Sequence, residues 1–161
     1  MGLFRAAARV RRRLIKMARI CIDGACWINR RGYGRYMRYL LSELWRIDQN
    51  KEYNLLTDKE IIAESVFPAN VTLHSPVLGS TPTQDARAGR NRTFRDLYAI
   101  GATARILKFD ILFFPSAYSY FPYFGKAKVA TVFHDCIADR YPELIFPDLR
   151  SRLLWKLKIA M

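Results

Sequence analysis

Residues 19–45 read RICIDGACWINRRGYGRYMRYLLSELW and contain a short apolar strand, a glycine-containing loop and the beginning of a long amphipathic helix. Two glycines, Gly32 and Gly34, lie at the mouth of that helix. Because glycine has no Cβ and a helix N-terminus is electropositive, backbone N–H groups at this point can approach a phosphate. The stretch therefore predicts the first strand and helix of an α/β domain and indicates a phosphate-bearing ligand.

The rest of the chain alternates short apolar runs with helical patterns. Continuous apolar runs are typical of strands buried on both faces of a parallel sheet. The predicted strands are 20–23, 53–57, 71–74, 111–114 and 129–133, the predicted helices are 36–47, about 90–108 and 148 onward, and 75–89 is predicted to be a loop. The pattern predicts a doubly wound, mainly parallel, Rossmann-like α/β sheet, with ligands at the carboxyl ends of its strands.

The helix over 36–47 is predicted to bury one apolar stripe. Its members recur at helical spacing and are Tyr36, Leu40, Leu44 and Ile47. At the other end of the chain, an amphipathic helix from about residue 149 reaches Met161 without a glycine, proline or polar stop. We therefore expect the domain over 19–161 to be truncated.

Composition bounds the class of protein. The 161 residues, 51% apolar and 25% charged, suit one domain with a real hydrophobic core and argue against disorder. No apolar run is long enough to span a bilayer. The three cysteines form no CxxC pair, which indicates reduced thiols in a cytoplasmic setting.

The net charge of +13 is concentrated at the N-terminus, where residues 1–19 carry seven basic side chains and no acidic one. Wound as a helix, residues 1–18 form a basic amphipathic leader, which predicts contact with an anionic membrane surface. Two alternatives are an upstream extension before a start at Met17 and an organelle transit peptide. A charge of this size fits an anionic partner of any of these kinds: nucleic acid, membrane or phosphorylated substrate.

A dinucleotide site is the first alternative for the glycine loop. Met37 stands where the third glycine of that fingerprint belongs, although Asp58 could act as its acidic residue. Residues 24–31 also separate the strand from the glycines, whereas the fingerprint follows its strand almost at once. With no GK[ST] sequence for a Walker loop, the pattern disfavours both NAD and nucleoside triphosphate sites.

Three segments occur in an order that resembles a known family. They are Ile22-Asp23 followed by GYGRY at 32–36, FDILFFP at 109–115, and TVFHD at 131–135 followed by RYPE at 140–143. Over about residues 19–161 the chain is similar to the N-terminal domain of group 1, family 4 glycosyltransferases of the GT-B fold. Phe114 departs from the family pattern, which often has a polar residue or histidine before the proline.

The resemblance implies one half of a two-domain enzyme. In that family the N-terminal domain receives the acceptor and the C-terminal domain holds the nucleotide sugar. It implies a retaining hexosyltransferase that uses a nucleotide sugar as co-substrate, without a cofactor or metal, and a saccharide or lipid-linked acceptor. Polysaccharide or cell-envelope biosynthesis at the cytoplasmic face of the inner membrane fits this activity. We expect the chain to be inactive without a C-terminal domain or partner chain.

The same resemblance and the residue types give a candidate site. His134 matches the family histidine that contacts the transferring sugar, and Asp135 is expected to orient its imidazole or cap the turn. Gly32, Gly34 and Arg35 are predicted to contact the donor phosphates, with a tight turn and a solvated arginine as the alternatives. The acceptor is assigned to the tyrosines of an aromatic run, with packing under a loop as the alternative: Tyr118, Tyr120 and Tyr123.

Two further functions stay open from the sequence. One is a non-enzymatic basic module that binds a membrane surface or nucleic acid, which the net charge favours. The other is one chain of a split glycosyltransferase. His74, the second histidine of the chain, is expected to be a surface or core residue.

Overall fold

The computed structural model describes residues 18–27, 29–30, 32–57, 59–76 and 94–160. These residues form a parallel sheet flanked by helices, which confirms the predicted α/β, Rossmann-like class. The strands are β1 (Arg19–Asp23), β2 (Glu52–Leu56), β3 (Val71–His74), β4 (Ile111–Phe114) and β5 (Lys128–Thr131). The helices are α1 (Gly32–Ile47), α2 (Lys59–Glu64), α3 (Phe94–Ile106), α4 (Ile137–Arg140), α5 (Pro142–Ile145) and α6 (Leu149–Ala160).

The strand order is β3-β2-β1-β4-β5, so β1 lies at the centre of the sheet. In register, Ile22 of β1 lies between Leu55 of β2 and Phe113 of β4. The chain winds outward from β1 to β3 and then crosses back to β4 on the other side of β1. Such a reversal opens a crevice outside the carboxyl ends of the two strands beside it. In this fold the crevice lies at the ends of β1 and β4.

The core has one layer on each face of the sheet, because successive side chains of a strand point to opposite faces. Cys21 and Leu112 pack with Ile100 and Ala104 of α3 in one cluster. Ile22 and Leu55 pack with residues of α1 in the other: Met37, Leu41 and Trp45. The two helices therefore cover opposite faces, as a doubly wound sheet requires.

The predicted apolar stripe on α1 is displaced by one position, although its member Leu44 is half-buried against the same core. Met37, Leu41 and Trp45 face the sheet, whereas Tyr36 is 37% exposed and Ile47 is 73% exposed. The periodicity of four residues was right, but apolar residues occupy two neighbouring rows of this helix. The sheet selects the row that continues from Gly34, because only glycine fits where α1 meets the preceding loop.

The predicted boundaries are close to the observed ones for most elements. The strands at 71–74 and 111–114 were predicted at their observed bounds, and α1 begins four residues earlier than predicted. The strand over 129–133 was predicted to be buried on both faces. That prediction is wrong, because β5 is an edge strand and Val129 is 45% exposed. The start of the helix predicted over about 90–108 and most of the loop at 75–89 lie outside the described residues.

The leader predicted over 1–18 lies outside the described residues except for its last position. None of the helices that the structure describes has both the length and the apolar character of a membrane span. The three cysteines are free thiols, with Cys21 and Cys26 buried and Cys136 exposed.

Candidate functional site

His134 lies just after β5, at the carboxyl edge of the sheet. Its Nε2 donates a hydrogen bond to the carbonyl oxygen of Pro115, 2.9 Å away, at the end of β4. Because a carbonyl only accepts, Nε2 carries the proton, and Nδ1 is the acceptor of the neutral ring. The bond therefore holds the imidazole at the crevice and leaves Nδ1 as the nitrogen that can accept a hydrogen bond from a ligand.

Two tyrosines from the first turns of α1 pack on this imidazole. The ring centroids of Tyr33 and Tyr36 both lie 4.8 Å from that of His134, and the Tyr36 ring is nearly perpendicular to it at 87°. Tyr33 also contacts Tyr118, with ring centroids 5.5 Å apart. We call these four residues, Tyr33, Tyr36, Tyr118 and His134, the His134 cluster. It joins the N-terminus of α1 to the ends of β4 and β5.

Trp155 of α6 extends the aromatic surface. Its indole stacks on Tyr118 with ring centroids 5.4 Å apart, and its Nε1 donates to Oδ1 of Asp139 at 3.0 Å. Trp155 is only 8% exposed, so the Tyr118 ring packs on a buried indole. The C-terminal helix thus fixes one wall of the cluster.

Asp135 shapes the electrostatics of the cluster. Its Oδ1 accepts a hydrogen bond from the backbone N–H of Ile137 at 3.0 Å, so this carboxylate closes an Asx turn just before α4. Burial raises the pKa of Tyr118 to about 12, and the negative charge of Asp135 adds to the effect. The same two causes raise the pKa of Tyr33. Both phenols are therefore neutral at physiological pH, and their hydroxyls form hydrogen bonds with each other and with Asp135.

The two glycines at the start of α1 have different surroundings. A Cβ on Gly34 would lie 1.9 Å from the carbonyl oxygen of Asn29 and 2.5 Å from that of Cys26, so this glycine allows α1 to pack on the loop before it. Gly32 is exposed, and a Cβ there would meet no atom within 4 Å. The exposed first turn of α1, which begins at Gly32 and contains Tyr33, adjoins His134.

Arg35 lines a shallow pocket beside the His134 cluster, together with Gly32 and Tyr36. Its guanidinium lies over the ring of Tyr39, 5.8 Å from the centroid, and it lines a groove along α1 together with other arginines. Of the residues predicted to contact donor phosphate, the structure brings the helix N-terminus at Gly32 to the cluster, and it places Arg35 beside it.

Tyr118 is also separated from the other two predicted acceptor tyrosines. Tyr120 is 8% exposed with its ring 4.7 Å from that of Phe114, and Tyr123 packs on Phe109 with ring centroids 5.4 Å apart. Both belong to the core layer under α3. For Tyr120 and Tyr123, packing under a loop therefore accounts for the aromatic character, and only Tyr118 adjoins His134.

Sequence reasoning missed Tyr33 and Tyr36 as members of the site. Both stand inside the GYGRY segment at the start of the helix, where Tyr33 follows Gly32 and Tyr36 follows Arg35. That spacing places them on one flank of the first helical turns, three residues apart. This was the available signal, but only the sheet order brings His134 against that flank.

The second histidine lies elsewhere. His74 ends β3, and its Nε2 lies 2.8 Å from Oδ1 of Asn54 on the neighbouring strand β2, so Nε2 is the donor. Burial lowers its pKa. Within the described ranges, no group of three or more His, Cys, Asp and Glu side chains is placed to hold a metal ion.

Comparison with protein-family profiles, with curated proteins and with solved structures gave no significant match.

Proposed function

We propose that this domain is the acceptor-side half of a glycosyltransferase that uses a nucleotide sugar. The observation that supports the proposal is the position of His134, at the crevice of a doubly wound sheet and between two strand ends and a helix N-terminus. Ligands of open parallel sheets bind at such a reversal of strand order. Residues from each of the three segments that resemble family 4 glycosyltransferases, Tyr33 and Tyr36, Pro115, and His134, contact one another here, which supports the proposal.

The cluster offers the groups that sugar recognition needs. Nδ1 of His134 can accept a hydrogen bond from a sugar hydroxyl, and the phenol oxygens of Tyr33 and Tyr118, whose O–H groups are engaged with each other and with Asp135, can accept further ones. The aromatic rings around the imidazole provide apolar faces for the C–H surface of a pyranose. We propose that the acceptor or the transferring sugar lies against these rings.

The N-terminus of α1 adds an electropositive end to the same crevice. Backbone N–H groups of the first turn, beginning at the exposed Gly32, can approach the diphosphate of the donor. There they would stabilise the negative charge that develops on the leaving group. Phe114 is fully buried against Tyr120 and Phe121, so the position before Pro115 contributes no polar group to the crevice.

We propose that a second half of the enzyme binds the nucleotide. That half is a further domain or a separate chain, and it closes over the crevice so that donor and acceptor meet near His134. We do not assign a nucleophile, because retention in the resembling family proceeds without an obvious one. We also propose that the basic leader at 1–18 holds the enzyme at the cytoplasmic face of an anionic membrane.

The proposal is tested by measuring sugar transfer by the full natural gene product in membranes of its source cells. We expect His134→Ala to lower the incorporation of sugar from radiolabelled nucleotide sugars about 100-fold, the size of a lost transition-state contact. His74→Ala is the matched control and should retain transfer, because His74 ends a strand away from the crevice. Full transfer by the His134→Ala enzyme would show that the assignment is wrong.

The membrane proposal has its own test. Deletion of residues 1–16 removes six basic residues and should therefore abolish co-flotation with vesicles that contain phosphatidylglycerol. Transfer to an acceptor supplied in detergent should persist. Unchanged flotation of the shortened protein would refute the anchoring role.

A further inference from the structure

A groove runs along α1 on the flank opposite the His134 cluster. It has a volume of about 1050 Å³ and lies between α1 and the segment 66–70 that precedes β3. Four of its described lining residues are arginines: Arg30, Arg35, Arg38 and Arg46. We call it the arginine groove.

The arginines follow from the helical repeat. Arg35, Arg38 and Arg46 stand at spacings of three and eight residues, which places them in one row beside the buried row of α1. At a rise of 1.5 Å per residue, Arg35 and Arg46 are separated by about 16 Å along the helix axis. The positive charge is therefore spread along the groove and is not gathered at one point.

Two of the guanidinium groups are held in place by neighbouring atoms. Nη1 of Arg38 donates hydrogen bonds to the carbonyl oxygens of Trp27 and Asn29, the latter at 3.0 Å. The Arg35 guanidinium lies over the Tyr39 ring. A guanidinium has five N–H donors, so each retains donors for another partner. The Arg38 side chain is thus positioned before any ligand arrives, which lowers the entropy cost of binding at that point.

Little negative charge balances this row. Among the described residues, the ion pair at this surface joins Arg46 to Glu43 at 2.7 Å, and both side chains are largely exposed. An exposed pair of this kind contributes little to stability, so Arg46 can readily exchange its partner for a stronger anion. Like charges in one groove repel one another, and an anionic ligand would relieve that repulsion.

We propose that the arginine groove binds a free, chain-like ligand that carries several phosphate groups. Arginine binds phosphate oxygens through two parallel hydrogen bonds, and a row of arginines matches phosphates repeated along a chain. The wall at 66–70 stands beside the arginine row, so a slender free chain can contact both walls at once, which favours it over a flat array of lipid headgroups. The proposal goes beyond sugar transfer and does not depend on it.

Tripolyphosphate titrated into the full chain at 150 mM NaCl tests the proposal. The indoles of Trp27 and Trp45 line the groove, so tryptophan fluorescence reports on its occupancy. We expect saturable binding that the double variant Arg35→Gln/Arg46→Gln weakens at least tenfold. The matched control, Arg95→Gln/Arg105→Gln, removes the same charge from exposed positions of α3 and should change the affinity less than twofold. Glu43→Gln removes the competing carboxylate and should tighten binding.

Three results would overturn the proposal. One is absence of saturable binding, and another is an equal loss in the two double variants, which would assign the effect to net charge alone. The third is arginine-dependent binding to vesicles of phosphatidylglycerol without binding of tripolyphosphate. Thermal unfolding followed by circular dichroism verifies that each variant is folded. None of these measurements involves sugar transfer, so they can fail independently of the proposed function.

Discussion

His134 donates from Nε2 to the carbonyl oxygen of Pro115 over 2.9 Å, and this bond ties the segment after β5 to the end of β4. The two segments meet at the point where the strand order reverses beside β1. The bond therefore does two things: it fixes the protonated nitrogen of the imidazole, and it fixes the ring against Tyr33 and Tyr36.

The first prediction concerns that bond. His134→Phe keeps an aromatic ring between the two tyrosines but leaves the Pro115 carbonyl without this donor. We expect the free energy of unfolding to fall by about 1 kcal/mol, the usual net value of a hydrogen bond. Urea unfolding measures it. His134→Gln supplies an N–H donor but removes the ring from between the two tyrosines, so it measures the ring contacts and not the bond. Unchanged stability of the His134→Phe variant would contradict the account.

The second prediction separates the two glycines of α1. Gly34→Ala places a Cβ against the carbonyl oxygens of Cys26 and Asn29, so the helix must move away from the loop. We expect a loss of about 3 kcal/mol in the free energy of unfolding, at the upper end of overpacking costs. Gly32→Ala is the matched control and should change stability by less than about 1 kcal/mol, because its Cβ would meet open space. Equal effects at the two positions would contradict the assigned packing.

The third prediction tests which row of α1 is buried. Leu41→Ala should cost about 2–5 kcal/mol, since Leu41 is fully buried against the sheet. Ile47→Ala should cost less than about 0.5 kcal/mol, because Ile47 is 73% exposed. Chemical denaturation of the two variants gives the comparison. Similar losses would indicate that the row through Ile47 is also buried.

The fourth prediction is a pH dependence at His74. Burial lowers its pKa in the folded protein, so the unfolded chain takes up a proton first as the pH falls. Stability should therefore decrease as the pH falls below about 6.5, the ordinary histidine value, and level off below the folded-state pKa. In His74→Gln, which keeps a donor for Asn54, this part of the decrease should disappear from thermal unfolding measured between pH 7 and 5. A decrease that persists unchanged would assign it to other groups.

Much of the fold was predictable because each central strand is a short continuous apolar run. Ile111–Phe114, next to the central strand, was predicted at its bounds for this reason, and Val71–His74, at the edge of the sheet, was also predicted at its bounds. The helix α2 was missed because Lys59–Glu64 is too short to show a helical period. The buried row of α1 was misplaced because a neighbouring apolar row is equally periodic, and contact with the sheet decides between them.

The site was predictable in part. His134 and Tyr118 were identified from a strand end and from the aromatic run after the next strand. Tyr33 and Tyr36 were missed because their contact with His134 joins segments about a hundred residues apart, which only the strand order brings together. Tyr120 was included in the acceptor site because the run does not show that the chain turns into the core after Tyr118.

The most direct test of the central proposal uses the fact that the chain has two histidines. Long-range ¹H–¹⁵N spectra of the imidazoles report on His134 and His74 separately while a panel of nucleotide sugars and saccharides is titrated into the ¹⁵N-labelled protein. We predict saturable shifts of the His134 nitrogens, largest at Nδ1, with the His74 nitrogens unchanged. If both histidines stay unchanged across the panel, or shift equally, the His134 cluster is not a sugar site.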